Sequence, residues 1–262
     1  MAALRKGDAT GAPHEILDPR DLKYCRNRCG CYWEPADDPF RWRERLPLAR
    51  WGFAELILLA LPLLAVAILL DCTRYWYAAV VPAVPLCLVV YFFRDPRRIA
   101  PTAPDVLVAP ADGKVVEITR LEHDEFIGGP AIRIGIFLSI FNVHLNRAPS
   151  ESRVIELRYS PGGFLNALNP ESAIRNENTW IGLEEESLPH RRVAIRQISG
   201  TIARRIVCDL RPGERLSRGQ KIGMIKFGSR TELIIPDTYD LSIKISIGRK
   251  IKAGVTVMAK YY

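Results

Sequence analysis

The sequence predicts a mainly β protein, an all-β sandwich or barrel-like domain preceded by an α-helical membrane hairpin. Three observations carry this. Leu56 to Leu70 is almost uninterruptedly apolar, and Trp76 to Phe93 is a second such run broken by Pro82 and Pro85. From Val106 onward the pattern changes to short β-branched runs separated by Gly, Pro and Asn. Many of these alternate, as in Arg192-Val193-Ala194-Ile195-Arg196, which gives a strand one wet and one dry face.

Taken in order, residues 1–50 are polar, rich in Arg, Asp and Pro, and show no sustained period, so an irregular extension is expected. The apolar stretch begins too late for a cleavable signal peptide. Residues 51–98 form the hairpin, each run slightly short of the ~20 residues of a straight span. Trp51, Trp76, Tyr77 and Tyr91 suit an aromatic belt. Arg41, Arg43, Arg45 and Arg50 precede the hairpin and Arg94, Arg97 and Arg98 follow it, whereas the connector Asp71 to Tyr75 holds only Arg74. The positive-inside rule then puts both ends, and the following domain, on the cytoplasmic face of the cell membrane. A buried helical hairpin in a soluble core is the other reading of the same runs.

Residues 99–262 form the β domain. Strands are expected at 106–109, 114–119, 131–139, 153–159, 179–183, 192–199, 203–209, 221–227, 232–235, 241–246 and 254–259. The glycine-punctuated stretch Arg211 to Gly223 also resembles the turns of lipoyl-type barrels.

The formal net charge is +8, which suggests an anionic partner. Lipid headgroups rank above nucleic acid, because apolar runs accompany the basic residues and no nucleic-acid motif does. Six cysteines are scattered along the chain and suggest no disulfide framework. Cys25-x3-Cys29-x-Cys31 lacks the second pair of ligands that marks a zinc site, and no metal is expected.

The dipeptide Gly228-Ser229 admits two readings. As a bare dipeptide it is a turn. It is also a place where a chain can cut itself: a serine after a residue without Cβ is sterically open, and its hydroxyl can attack the preceding carbonyl to make an ester. β-Elimination and loss of ammonia then leave an N-terminal pyruvoyl group. Such a serine needs a base, and that base an orienting group. Of the four histidines, His144 lies in a dense motif between expected strands; His14 falls in the extension, and His123 and His190 sit among charged residues. A lone histidine in an apolar strand is also an ordinary core residue. Asp112, in Pro110-Ala111-Asp112-Gly113, reads locally as a side chain capping its own turn.

Five segments decide between these readings: Phe92-Phe93-Arg94-Asp95-Pro96, Ala109 to Lys114, Phe137 to Pro149, Ser160 to Ala167, and Ile225-Lys226-Phe227-Gly228-Ser229-Arg230. Together, and in this order, they closely resemble phosphatidylserine decarboxylase proenzymes, and best the short bacterial branch whose cleavage motif reads Phe-Gly-Ser-Arg. The likeness runs from about Trp51 to the C-terminus. It implies cleavage between Gly228 and Ser229 into a β chain of residues 1–228 and an α chain of residues 229–262 that stay together as a heterodimer, with any further oligomerisation left open. It implies a covalent pyruvoyl cofactor made from Ser229, which condenses with the amine of phosphatidylserine and withdraws electrons as CO2 leaves. It assigns His144 as base and Asp112 as the carboxylate that orients it. The longer branch carries a second histidine where this chain has Phe141, so substrate protonation by that residue is not carried over.

Asn142, Asn146 and Arg147 flank the base and offer donors for a headgroup phosphate, or for neighbouring strands. Asn166 belongs to the family-like loop Gly162 to Ala167, whose glycines suit close backbone approach, a flap over the lipid, or a plain turn. Two other functions remain at this level: a membrane-anchored serine peptidase on the same triad, and a noncatalytic membrane adaptor with a lipoyl-like barrel.

Overall fold

The computed structural model describes residues 41–166, 169, 171–200, 205–226 and 229–262. Outside the described residues lie Cys25, Cys29 and Cys31, His14 and nearly all of the expected extension, as well as Phe227 and Gly228.

Two apolar helices open the fold, α1 (Phe53–Asp71) and α2 (Val80–Phe92), joined through a 3-10 turn at Trp76–Ala79. Pro82 falls in the first turn of α2, where no helical N–H is lost, whereas Pro62 and Pro85 interrupt the ladder inside their helices. The helices pack on each other, and α1 turns Leu58, Leu61 and Leu69 outward. Apolar residues on all sides are the pattern of a helix solvated by lipid. The stretch Arg50–Asp71 is long and apolar enough to cross a membrane.

The base of the hairpin is zipped. Leu48 bridges Arg94, the Ala49 N–H donates to the Phe93 carbonyl at 2.6 Å, and the Asp95 N–H donates to Pro47 at 2.8 Å. Gly52 allows this closeness, since a Cβ there would lie 2.2 Å from the Phe93 ring.

The rest is antiparallel β-structure. Its strands are β1 (Val106–Val108), β2 (Gly113–Asp124), β3 (Gly129–Leu138), β4 (Leu145–Arg147), β5 (Ser152–Ser160), β6 (Asn178–Glu185) and β7 (Arg192–Ile198). A short helix α3 (Ser172–Arg175) precedes β6, and β8 (Ile206–Cys208), β9 (Arg215–Leu216), β10 (Lys221–Ile225), β11 (Ser229–Pro236), β12 (Leu241–Ile243), β13 (Lys250–Ile251) and β14 (Val257–Tyr261) follow. One curled sheet runs β13-β2-β3-β11-β7-β6-β5-β9, and two three-stranded sheets run β4-β10-β8 and β1-β14-β12. Register shifts in β2 and β5 mark bulges, which bend the long sheet. The concave side holds one core that includes Leu107, Ile134, Ile136, Ile181, Ile195, Leu233 and Met258. Each such side chain stabilises by ~1.5–3 kcal/mol relative to exposure.

The mainly β class with a leading apolar hairpin is therefore the observed one. Three short strands, β4, β9 and β13, were not expected, because two or three residues show no alternation. The strand expected from Glu232 begins at Ser229, so the serine sits in a ladder and not in a turn.

Candidate active site

Ser229 opens β11 and pairs with Leu138 at the end of β3. Side chains alternate along a strand, so Ser229 shares its face with Thr231, Leu233 and Ile235, the face turned to the core. Its hydroxyl is accordingly buried, and among the described residues it has no hydrogen-bond partner. A buried orphan hydroxyl costs free energy and is atypical of a finished core. Arg230 points the opposite way, to Glu117 and to Glu232 at 2.9 Å.

His144 immediately precedes β4. Its carbonyl accepts the Ile225 N–H at 3.2 Å, and β4 pairs with β10. The chain passes from β3 to β4 through residues 139–144 and from β10 to β11 through residues 226–228. Because β3 pairs with β11 and β4 with β10, Leu138 at the end of β3 lies beside Ser229, and His144, just before β4, lies beside Ile225 at the end of β10. The topology thus brings His144 and Ser229, 85 residues apart in sequence, to the same end of the domain. His123 and His190 are exposed elsewhere.

The His144 ring is 1% exposed and lies against Phe92, the last residue of α2, at 4.5 Å between centroids and 38°. Burial pushes its pKa down to about 4; the Asn142 carbonyl and the Asp112 charge oppose this, and Arg94 reinforces it. The imidazole is neutral at pH 7. Nδ1 lies 2.9 Å from the Asn142 carbonyl, which can only accept, so Nδ1 carries the proton and Nε2 keeps the lone pair a base requires.

The Asp112 side chain bonds remote segments and not its own turn. Its two oxygens take the fork of Arg98 at 2.5 and 2.7 Å, and Oδ1 also accepts the Ala253 N–H at 2.7 Å. Asp112 therefore acts on His144 through its charge, while the contact at Nδ1 belongs to Asn142. Arg98 went unnoticed in the sequence, where it is one of several arginines after the hairpin.

Asn146 links the three. Its amide donates to the Pro110 carbonyl at 3.2 Å and to Thr231 Oγ1 at 3.0 Å, and its oxygen accepts from Gln197 at 2.8 Å. Pro110 is two residues before Asp112, Thr231 two after Ser229, and Asn146 two after His144. Asn146 is completely buried, and Arg147 is 8% exposed with its guanidinium on Gly219, Asp95 and Pro96. Both are thus engaged by other segments inside the protein. Asn142 is half-buried, its side-chain oxygen closing a turn on Ser139. Asn166 is exposed, at the end of a loop that buried Asn176 holds through the N–H and carbonyl of Leu165. In that loop a Cβ on Gly162 would lie 2.5 Å from the Arg175 carbonyl oxygen, so close approach explains this glycine.

Fold and site together define a class: a β-domain protein on an apolar helical hairpin, with a buried serine and a neutral histidine at the hairpin's base. The description "Phosphatidylserine decarboxylase" belongs to the family model that matches residues 87–259. A phosphatidylserine decarboxylase proenzyme of Rhodopirellula baltica is 50% identical over 241 residues, 92% of this chain and 99% of that protein. Proenzymes of the same name from Desulfotalea psychrophila and Carboxydothermus hydrogenoformans are 42% and 38% identical, over 65% and 83% of this chain and 78% and 98% of theirs. The chain belongs to the phosphatidylserine decarboxylase family.

Proposed function

We propose that this chain is a proenzyme that cuts itself between Gly228 and Ser229 and, once processed, converts phosphatidylserine to phosphatidylethanolamine and CO2 in phospholipid synthesis. The observation that carries the reading is the buried Ser229 hydroxyl, without a partner among the described residues, on the core face of β11 at the end where His144 lies. His144 Nε2 takes the hydroxyl proton, held in the right tautomer by the Asn142 carbonyl, while the Asp112 charge steadies the imidazolium.

The Ser229 oxygen then bonds to the Gly228 carbonyl carbon as the C–N bond breaks, giving an ester and a free amine. Loss of the Ser229 α-proton expels Gly228 as a carboxylate. Water replaces ammonia at the resulting N-terminus, so the α chain ends in a pyruvoyl group. That group supplies an electrophilic carbonyl that acts as an electron sink. A hydroxyl with no partner among the described residues fits this fate, because the serine is consumed and needs no lasting hydrogen bond.

The remaining assignments belong to the same proposal. Residues 51–98 are the membrane hairpin and 99–262 the catalytic domain, lying on the cytoplasmic side by the arginine asymmetry. Asn142 and Asn166 are the headgroup ligands; Asn146 and Arg147 hold the loops in place. The β and α chains remain one heterodimer, since β11 lies between β3 and β7 of the β chain.

Denaturing electrophoresis with intact mass tests this. The purified protein should run as two chains, the α chain about 17 Da lighter than one beginning with serine, the mass of ammonia lost. Ser229→Ala should remain whole and inactive on phosphatidylserine vesicles. A fully active, undivided wild-type chain with Ser229 intact, and labelled by a fluorophosphonate, would replace this reading with a serine hydrolase.

A further inference from the structure

The hairpin base touches both crossings that form the site. On the β3–β4 side, Phe92 covers His144, Arg94 donates to the Phe141 carbonyl at 2.9 Å, and Val143 and Leu145 join Ala49, Leu56 and Phe93 in one apolar cluster. On the β10–β11 side, Met224 joins the same cluster, and the ammonium of Lys226 is paired with Glu55 in the first turn of α1. Lys226 is only 6% exposed. A lysine beside a loop ordinarily keeps its charge in water, and a buried one is tolerated when paired.

The pairing has a consequence for the bond two residues further on. Ser229 is fixed by its ladder to Leu138, and Lys226 by Glu55 and by its N–H to the Arg205 carbonyl at 3.2 Å. Three residues of chain reach at most ~10 Å. The scissile linkage therefore falls on a short tether whose two ends are held, one by the sheet and one by the membrane helix. Such restraint lowers the entropy lost in reaching the attack geometry.

We propose that Glu55 and Lys226 are a positioning pair that clamps the processing loop to the hairpin, so that self-cleavage proceeds at full rate only when the hairpin is seated on the β domain. The inference rests on the self-cleavage reading above. The pair acts by holding the chain on the Gly228 side of the bond.

The test is a time course of processing for the full chain, made by cell-free translation with phosphatidylglycerol–phosphatidylcholine vesicles and quenched in detergent. Glu55→Gln and Lys226→Met are expected to cleave about tenfold more slowly or worse, Lys226→Arg near the wild-type rate, and the exchange E55K/K226E distinctly faster than either single loss. Recovery on exchange shows that the two residues act as a pair, and unfolding midpoints of the same variants in the Ser229→Ala background, unchanged where cleavage is slowed, separate positioning from a folding defect. Wild-type rates in both Glu55→Gln and Lys226→Met would overturn the inference, as would an exchange variant no faster than the singles. If the wild-type chain never divides while its decarboxylation is complete, the self-cleavage reading fails; if it divides and both single variants divide equally fast, only the clamp fails.

Discussion

The Phe92 ring lies 4.5 Å from the His144 ring, so the last residue of α2 forms a wall of the base's pocket. An apolar wall withholds water from the imidazole, and the neutral form is favoured. The apolar hairpin thereby borders the pocket of the base.

A pH profile of processing should report this. The base works when neutral, so its rate falls as pH drops through its pKa; with that value lowered to about 4, processing should stay level from neutral pH down to about pH 5. Phe92→Ala admits water, and the acid limb should move up toward the ordinary value of 6.5. A wild-type limb already near 6.5 would contradict the buried, neutral histidine.

The same shift predicts how stability depends on pH. Above pH 6.5 the histidine is neutral folded or unfolded, and the fold has its full stability. Between 6.5 and about 4 the unfolded chain takes up a proton that the folded one refuses, so stability declines by up to ~1.4 kcal/mol per pH unit. Below about 4 the loss from this group is complete. His144→Gln in the Ser229→Ala background should flatten that decline, measured by chemical denaturation in detergent.

Arg98→Ala should be among the most damaging single changes. It strips the fork from a carboxylate only 9% exposed and leaves it the Ala253 N–H alone. Breaking a buried pair costs ~3–5 kcal/mol. Arg98→Lys keeps the charge and should cost less. Because Ala253 lies beyond the cleavage point, the loss should also show as easier separation of the two chains in native mass spectrometry.

Asn146→Ala should slow processing even in lipid-free detergent, because it uncouples the strand of Ser229 from the turn of Asp112. The orphaned partners add a stability loss of ~1–3 kcal/mol. A variant that processes normally and shows only a raised KM for lipid would make Asn146 a headgroup ligand instead.

Gly52→Ala should loosen the hairpin base. The new methyl would start 2.2 Å from the fully buried Phe93 ring, and overpacking of this kind costs ~1–3 kcal/mol. The expected sign is a lower unfolding midpoint in detergent; an unchanged midpoint would mean the ring yields freely.

Much of this molecule was legible from local pattern. Apolar runs and Arg192–Arg196 alternation reveal their elements because helix and strand periodicities involve neighbours in sequence. Ser229, His144 and Asp112 were visible through motif order. The roles of Asn146 and Arg147 were not, because residue type reveals donors without their direction, and the parity of β4 turns Asn146 inward. Arg98 and Glu55 were hidden for a related reason: their partners, Asp112 and Lys226, lie 14 and 171 residues away.

Sequence alone determined the β class and the apolar hairpin, since each depends on short-range hydrophobic pattern, while Ser229 stood out only through the order of several motifs along the chain. Only tertiary structure decided what meets the other residues of the site: Phe92 against His144, the Arg98 fork on Asp112, Asn146 between Pro110 and Thr231, and Glu55 on Lys226. These are contacts between distant segments, and they exist only once two strand crossings and a helical base have packed against one another.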